Sequence, residues 1–148
     1  MRRLSVPIGA QGAIVSVEIG VSTPMHKALL RARQSPPAVV SVPMLVDTGA
    51  SHTFIDAALL AGALNLSPRN RYRFHSATTS THSPQECAAY DVSLALGSAS
   101  AQNLWRIDAI EVMGSEEPRS HGLLGRDVLE RLQFEWHGPR REMVLLYV

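Results

Sequence analysis

The first group in this sequence that could do chemistry is a carboxylate at the end of an apolar run. Asp47 follows Val42-Pro43-Met44-Leu45-Val46 and opens the small-residue turn Thr48-Gly49-Ala50-Ser51, after which Thr53-Phe54-Ile55 leads away as a second apolar run. Half-burying a carboxylate is costly unless hydrogen bonds or chemistry justify it, so an acid delivered by a core-like strand is a site candidate. The plainer reading is a turn aspartate. Beside it, Ser51-His52 suggests nucleophilic chemistry, but neighbours on a strand point to opposite faces, so His52 is not expected to activate Ser51. His75, His82 and Cys87 carry metal-ligand atoms, yet their spacing matches no zinc pattern and no metal site is expected. His52 and His121, which flank two glycine turns, read as ordinary turn or surface histidines.

The elements that must hold Asp47 are mostly strands. Ala13–Gly20 alternates with Val15, Val17 and Ile19 on one parity, and Val39–Val46 is β-branched and interrupted by Pro43, which predicts an edge or an irregular start there. Asp56 is a good N-cap for a short helix over 57–64, stopped by Asn65 and Pro68. Residues 71–96 read as two strands around the hydroxyl-rich tip Ser76–Pro84, and Asn103–Val112 as another strand with Trp105, Ile107 and Ala109 toward the core. Gly122-Leu123-Leu124-Gly125 is a second glycine turn, followed by Val128, Leu129 and Leu132 at helical spacing. The end of the sequence, Met143–Val148, is a further strand, suited either to a dimer interface or to closing the chain's own sheet. Residues 24–37, with Lys27, Arg31 and Arg33 before Ser35-Pro36-Pro37, read as a surface excursion of one or two helical turns. Strands outnumber helices, which predicts one small, mainly antiparallel β domain spanning residues 1–148.

Composition narrows the classes. A chain of 148 residues with a hydrophobic share of 45% and a charged share of 18% is that of a soluble globular domain, and one core is expected. The formal charge of +1, without aromatics among the short basic clusters, carries no nucleic-acid message. The lone Cys87 excludes an intramolecular disulfide, and a reducing, cytoplasmic setting is expected. Met1-Arg2-Arg3 resembles the start of a signal peptide, but Pro7, Gly9, Gln11 and Gly12 break any apolar core behind it. No run is long and apolar enough for a membrane span.

Together, apolar strand, Asp47-Thr48-Gly49-Ala50-Ser51, apolar strand, and the later Leu123-Leu124-Gly125-Arg126-Asp127 with its helix resemble the retropepsin-like aspartic proteases, particularly single-domain bacterial members. The resemblance covers about 39–132. It implies a small closed β domain in which Asp47 is the catalytic acid and Thr48, Gly49 and Ala50 support its turn. The second turn, Leu123, Leu124 and Gly125, would pack beside it, and a flap at Ser76, Ala77, Thr78, Thr79 and Ser80 would close over a peptide or protein substrate. No cofactor is implied.

That chemistry needs two carboxylates about 3 Å apart, one taking a proton from water while the other, protonated, donates to the scissile carbonyl. The chain has a single Asp-Thr-Gly, so the resemblance implies a homodimer that brings two copies of Asp47 together. Thr48 would link the two turns through hydroxyl-to-backbone hydrogen bonds. Ala50 stands where digestive-type relatives carry Ser, whose hydroxyl favours the charged acid, so activity reaching toward neutral pH is expected. Ser51 stands where viral relatives place an acid that pairs with the arginine after the second turn. Arg126 is therefore expected to turn to Asp127, Asp56 or Glu130. The flap segment lacks glycines, and the alternative implied is a dimeric, peptide-binding module that cleaves nothing efficiently.

Overall fold

The computed structural model describes residues 1–74, 85–97, 105–117 and 120–148. Its first strand, β1 (Arg2–Gly9), has no counterpart in the sequence pattern, because Pro7 and Gly9 interrupt its apolar residues. It turns at Ala10-Gln11 into β2 (Gly12–Val21), entering through Gly12 at φ +112°, a conformation that glycine adopts without a Cβ penalty. Along β2 the expected parity holds: Val15, Val17 and Ile19 are buried and Ser16 is exposed.

The basic excursion is α1 (Thr23–Arg31), capped by Ser22, whose Oγ accepts from the Met25 amide at 3.3 Å. None of its residues is buried. β3 (Val40–Val46) then pairs antiparallel with β2. Pro43 is tolerated there because the other edge of β3 is paired only from Met44 onward. After the Asp47 turn come β4 (Phe54–Asp56) and a π-helical turn, Leu59–Ala63. Asp56 accepts from the Ala58 amide at 2.9 Å, and Asn65, at φ +49°, ends the turn.

β5 (Asn70–Phe74), β6 (Gln85–Leu96) and β7 (Trp105–Ser115) form an antiparallel meander. Here one expectation is corrected: Ile107 is buried but Ala109 is exposed, and Ile110 and Val112 face inward. Val92 pairs with Ile110 and Leu94 with Ile107, so two residues of β6 span three of β7. A bulge of this kind inverts the facing of everything beyond it.

β8 (Gly122–Leu124) and α2 (Arg126–Leu129) follow, then β9 (Gln133–His137), a 3-10 turn (Gly138–Arg140) and β10 (Glu142–Tyr147). β9 was not expected. β10 lies between β1 and β9, so Met143–Val148 closes the chain's own sheet and has no free edge to offer a second copy.

The fold is mainly β, with 54% of residues in strands. Hydrogen-bonded neighbours run β6-β7-β4-β8-β3-β2, and β2 pairs again with β6, closing a six-stranded barrel. Most pairings are antiparallel as expected, but β3–β8 and β4–β7 are parallel. Val17, Ile19, Met44, Leu94, Leu96 and Leu124 fill the barrel, and Met143 and Leu145 extend the same core. No described helix is long and apolar enough to cross a membrane.

Candidate active site

β3 delivers Asp47 to the surface and β4 carries the chain back inward, with β8 threaded between them. Val46 pairs with Leu124 in parallel, and Phe54 pairs with Leu123 antiparallel. The two glycine turns named from the sequence are thereby side by side. The Asp47 amide donates to the Leu124 carbonyl at 3.0 Å, and the Ala50 amide returns to the Asp47 carbonyl at 3.2 Å.

Within this turn Asp47 is half-buried, and its Oδ1 accepts from the Gly49 amide at 2.9 Å. A Cβ on Gly49 would lie 3.1 Å from that oxygen. Among the described residues Oδ2 has no hydrogen-bond partner. One oxygen is therefore fixed by the main chain, and the other is available to a reactant.

Gly125 explains why the second turn is glycine. A Cβ there would come within 2.3 Å of the His52 carbonyl oxygen, which is backbone and cannot swing away. This contact clamps the second turn against the first, and the Arg126 amide adds a bond to the Ala50 carbonyl at 2.9 Å. The Arg126 guanidinium donates to the Thr48 carbonyl at 2.9 Å rather than to Asp127, Asp56 or Glu130. An exposed main-chain oxygen of the turn lies within its reach, and Asp127 is already engaged elsewhere.

Asp127 is held by Thr53. Thr53 is fully buried; its amide donates to Asp127 Oδ2 at 3.0 Å and its hydroxyl to Oδ1 at 2.7 Å. The same hydroxyl accepts from the Gly125 amide at 3.1 Å, and Oδ1 also accepts from the Val128 amide at 2.9 Å. The Thr53 carbonyl accepts from Met113 at 2.9 Å, tying this junction to β7. Sequence reasoning passed over this network. Its only signal was a threonine leading an otherwise apolar run and an aspartate directly after Gly125-Arg126.

Ser51 and His52 also depart from expectation. Ser51 Oγ and His52 Nδ1 are 2.9 Å apart, because both residues lie in a bend before β4 and strand alternation does not apply to them. The His52 ring meets Phe74 edge-on at 5.1 Å, and Phe74 meets Phe54 at 5.6 Å, so the end of β5 rests against the turn. His121 donates through Nδ1 to the Gly122 carbonyl at 3.2 Å.

The proposed flap, Ser76–Ser80, lies outside the described residues, as do His75 and His82. Cys87 is buried, and that burial, followed by Glu116 and Glu117, pushes its thiol up. Among the described residues no three His, Cys, Asp or Glu side chains could hold a metal ion.

Comparison with known proteins agrees with this geometry. The family described as "gag-polyprotein putative aspartyl protease" matches residues 39–131, which include both glycine turns, Thr53 and Asp127. Comparison with curated proteins gives no match. Among solved structures, a retropepsin-like aspartic protease from Rickettsia conorii is similar with a TM-score of 0.59 and 16% sequence identity. That similarity covers 99% of this chain and 90% of the other, and at such identity it speaks for the fold. The chain belongs to the retropepsin-like aspartic protease family.

Proposed function

We propose that this chain is one half of an aspartic endopeptidase, in which two copies of Asp47 face each other across a two-fold axis. The observation that carries the reading is the state of Asp47: one carboxylate oxygen is fixed by the Gly49 amide and the other is left without a partner among the described residues. Asp56 shapes its own turn with the same single bond, so what supports the reading is that the open oxygen of Asp47 stands on a turn bonded to the second glycine turn by the Asp47 and Arg126 amides.

The mechanism follows from two like charges held about 3 Å apart, which cannot both ionise, so the pair carries one proton. A water between them gives a proton to the ionised carboxylate as its oxygen attacks the scissile carbonyl carbon. The protonated carboxylic acid gives its proton to the carbonyl oxygen, forming a neutral tetrahedral diol. Collapse of that diol breaks the C–N bond, with a proton moved from a diol hydroxyl to the departing nitrogen through the same pair. Thr48 at the axis would hold the two turns in register, and the segment Ser76–Ser80 would cover the substrate. Neither step calls on a metal or an organic cofactor.

The test compares the wild-type protein with Asp47→Asn on a denatured protein substrate between acid and neutral pH, with sedimentation under the same conditions. Cleavage that requires Asp47 and a dimer is expected. A strict monomer under cleaving conditions would sink the mechanism. A dimer that yields no Asp47-dependent product would assign the chain to the peptide-binding reading instead.

A further inference from the structure

A helix draws most of its stability in a protein from burying an apolar face, and one of 9 residues is marginal without it. Yet α1 (Thr23–Arg31) buries none of its residues. Thr23 and Leu29 are half-buried, and the rest of the helix stands in solvent, with Met25 46% and Leu30 55% exposed. Its anchors are polar and lie at its start: Ser22 caps it, and the Thr23 hydroxyl donates to Asp108 of β7 at 3.0 Å.

The free part of the helix is cationic. Lys27 and Arg31 lie one turn apart, Arg33 follows in the turn that ends the helix, and Met25, Ala28 and Ala32 form the adjoining stripe. Between Glu18 and Asp47 the sequence has no acidic residue. On the meander, Arg71 and Arg106 stand beside Glu86 and Asp108, each at 3.8 Å. Lys27, Arg31 and Arg33 have no such partner among the described residues. A chain with 14 basic and 13 acidic residues thus leaves three cations uncompensated on one projecting element.

We infer that α1 is a docking surface for an anionic lipid bilayer, on which it lies without crossing. Basic amphipathic helices suit such surfaces: the three cations reach the phosphate headgroups while Met25 and the Ala28–Ala32 stripe enter the interface. A protein partner would need an anchor where Ala28 and Ala32 offer only small side chains, whereas a fluid bilayer needs no matching shape. Nucleic acid is disfavoured because residues 23–33 contain no Phe, Tyr or Trp on which a base could stack.

The fold sets the orientation. Along the β2–β3 pair, Ile14 lies opposite Leu45 near the Asp47 turn, and Ile19 lies opposite Val40 near α1. The 7 residues of β3 span about 20 Å between these ends. A bilayer engaged by α1 therefore meets the end of the barrel opposite the candidate active site and leaves the Asp47 turn open to water. Docking of this kind does not depend on the chemistry of Asp47.

Co-sedimentation of the full chain with phosphatidylcholine vesicles, with and without phosphatidylglycerol, tests this. Binding is expected only with phosphatidylglycerol and should weaken as salt is raised. Lys27→Gln/Arg31→Gln/Arg33→Gln should lower the partition constant about a hundredfold, the contribution of three basic side chains at an anionic surface. Arg73→Gln/Arg131→Gln/Arg140→Gln removes the same charge from other exposed sites and should stay close to wild type. Circular dichroism checks that each variant is folded. A second arm needs no loss of charge: Met25→Cys labelled with a polarity-sensitive dye should shift its emission to the blue on phosphatidylglycerol vesicles, and buried Cys87 stays unlabelled. Asp47→Asn should bind vesicles as wild type does, which separates docking from cleavage. No binding to phosphatidylglycerol vesicles, equal binding to both vesicle types, equal loss in the two triple variants, or bound protein whose dye does not shift would overturn the α1 assignment. Capture by immobilised polyglutamate without vesicle binding would overturn it too, and would assign the helix to an acidic protein.

Discussion

Asp47 and Asp127 sit on the two glycine turns of one substructure and are treated in opposite ways. Asp127 accepts from Thr53 N, Thr53 Oγ1 and Val128 N, so its carboxylate is absorbed into the fold. Among the described residues Asp47 accepts one bond, from an amide two residues away. The contrast teaches that a carboxylate in a tight turn is not by itself a site. What marks Asp47 is unused bonding capacity in surroundings rigid enough to aim it, and the rigidity comes from Asp127.

The largest effect that would sharpen the contrast is on activity. Asp47→Asn keeps an oxygen for the Gly49 amide but removes the ionisable group, so cleavage should fall by about a thousandfold or more, by analogy with loss of a group central to catalysis. Stability should move by no more than about 0.5 kcal/mol, as for surface changes away from packing. A large fall in melting temperature would break the comparison, because it would make Asp47 structural too.

Asp127→Ala should show the reverse. It leaves the Thr53 amide and hydroxyl without their acceptor in a buried setting, a loss of about 3 kcal/mol. For a chain of this size that lowers Tm by about 6–12 °C, readable by calorimetry. Residual activity measured well below the new Tm should stay closer to wild type than that of Asp47→Asn. Thr53→Val keeps the shape of the side chain but loses the hydroxyl that donates to Asp127 and accepts from Gly125. Denaturant unfolding should register about 2 kcal/mol of destabilisation. A change within error would show that the Gly125 contact with His52 and the main-chain bonds from Asp47 and Arg126 hold the second turn without the hydroxyl.

The two acids also differed in how well the sequence announced them. Asp47 is legible because its determinants are local: an apolar strand, the acid, and small residues that allow a tight turn. The barrel strands carrying Val15, Val17 and Ile19 were legible for the same reason, since their period is written in adjacent residues. Asp127 answers to Thr53, 74 residues away, and no local period encodes that bond. The bulge that turns Ala109 outward, and the pairing that closes β10 inside the sheet, are likewise properties of register between strands. β9 did carry a local signal, the alternation of polar and aromatic residues from Gln133 to His137, and the sequence reading passed over it. Ser51 and His52 were misjudged because strand alternation was applied to a bend.

The smallest effect concerns Ala50, which bonds through its backbone on both sides of the site, to Asp47 and to Arg126, while its methyl group offers nothing to a carboxylate. In Ala50→Ser the hydroxyl could donate to the acid and favour its charged form. In the proposed mechanism the pair must retain one ionised member, so favouring the charged form extends activity to lower pH. The acid limb of kcat/KM should therefore shift downward in the variant, by up to about one pH unit, the scale of a single hydrogen bond to a charged group. The basic limb should follow in the same direction, because loss of the shared proton becomes easier. An unchanged profile would mean that the added hydroxyl is turned away from Asp47. Among the described residues Asp47 would then keep its amide bond as before, which widens its distance from the multiply bonded Asp127.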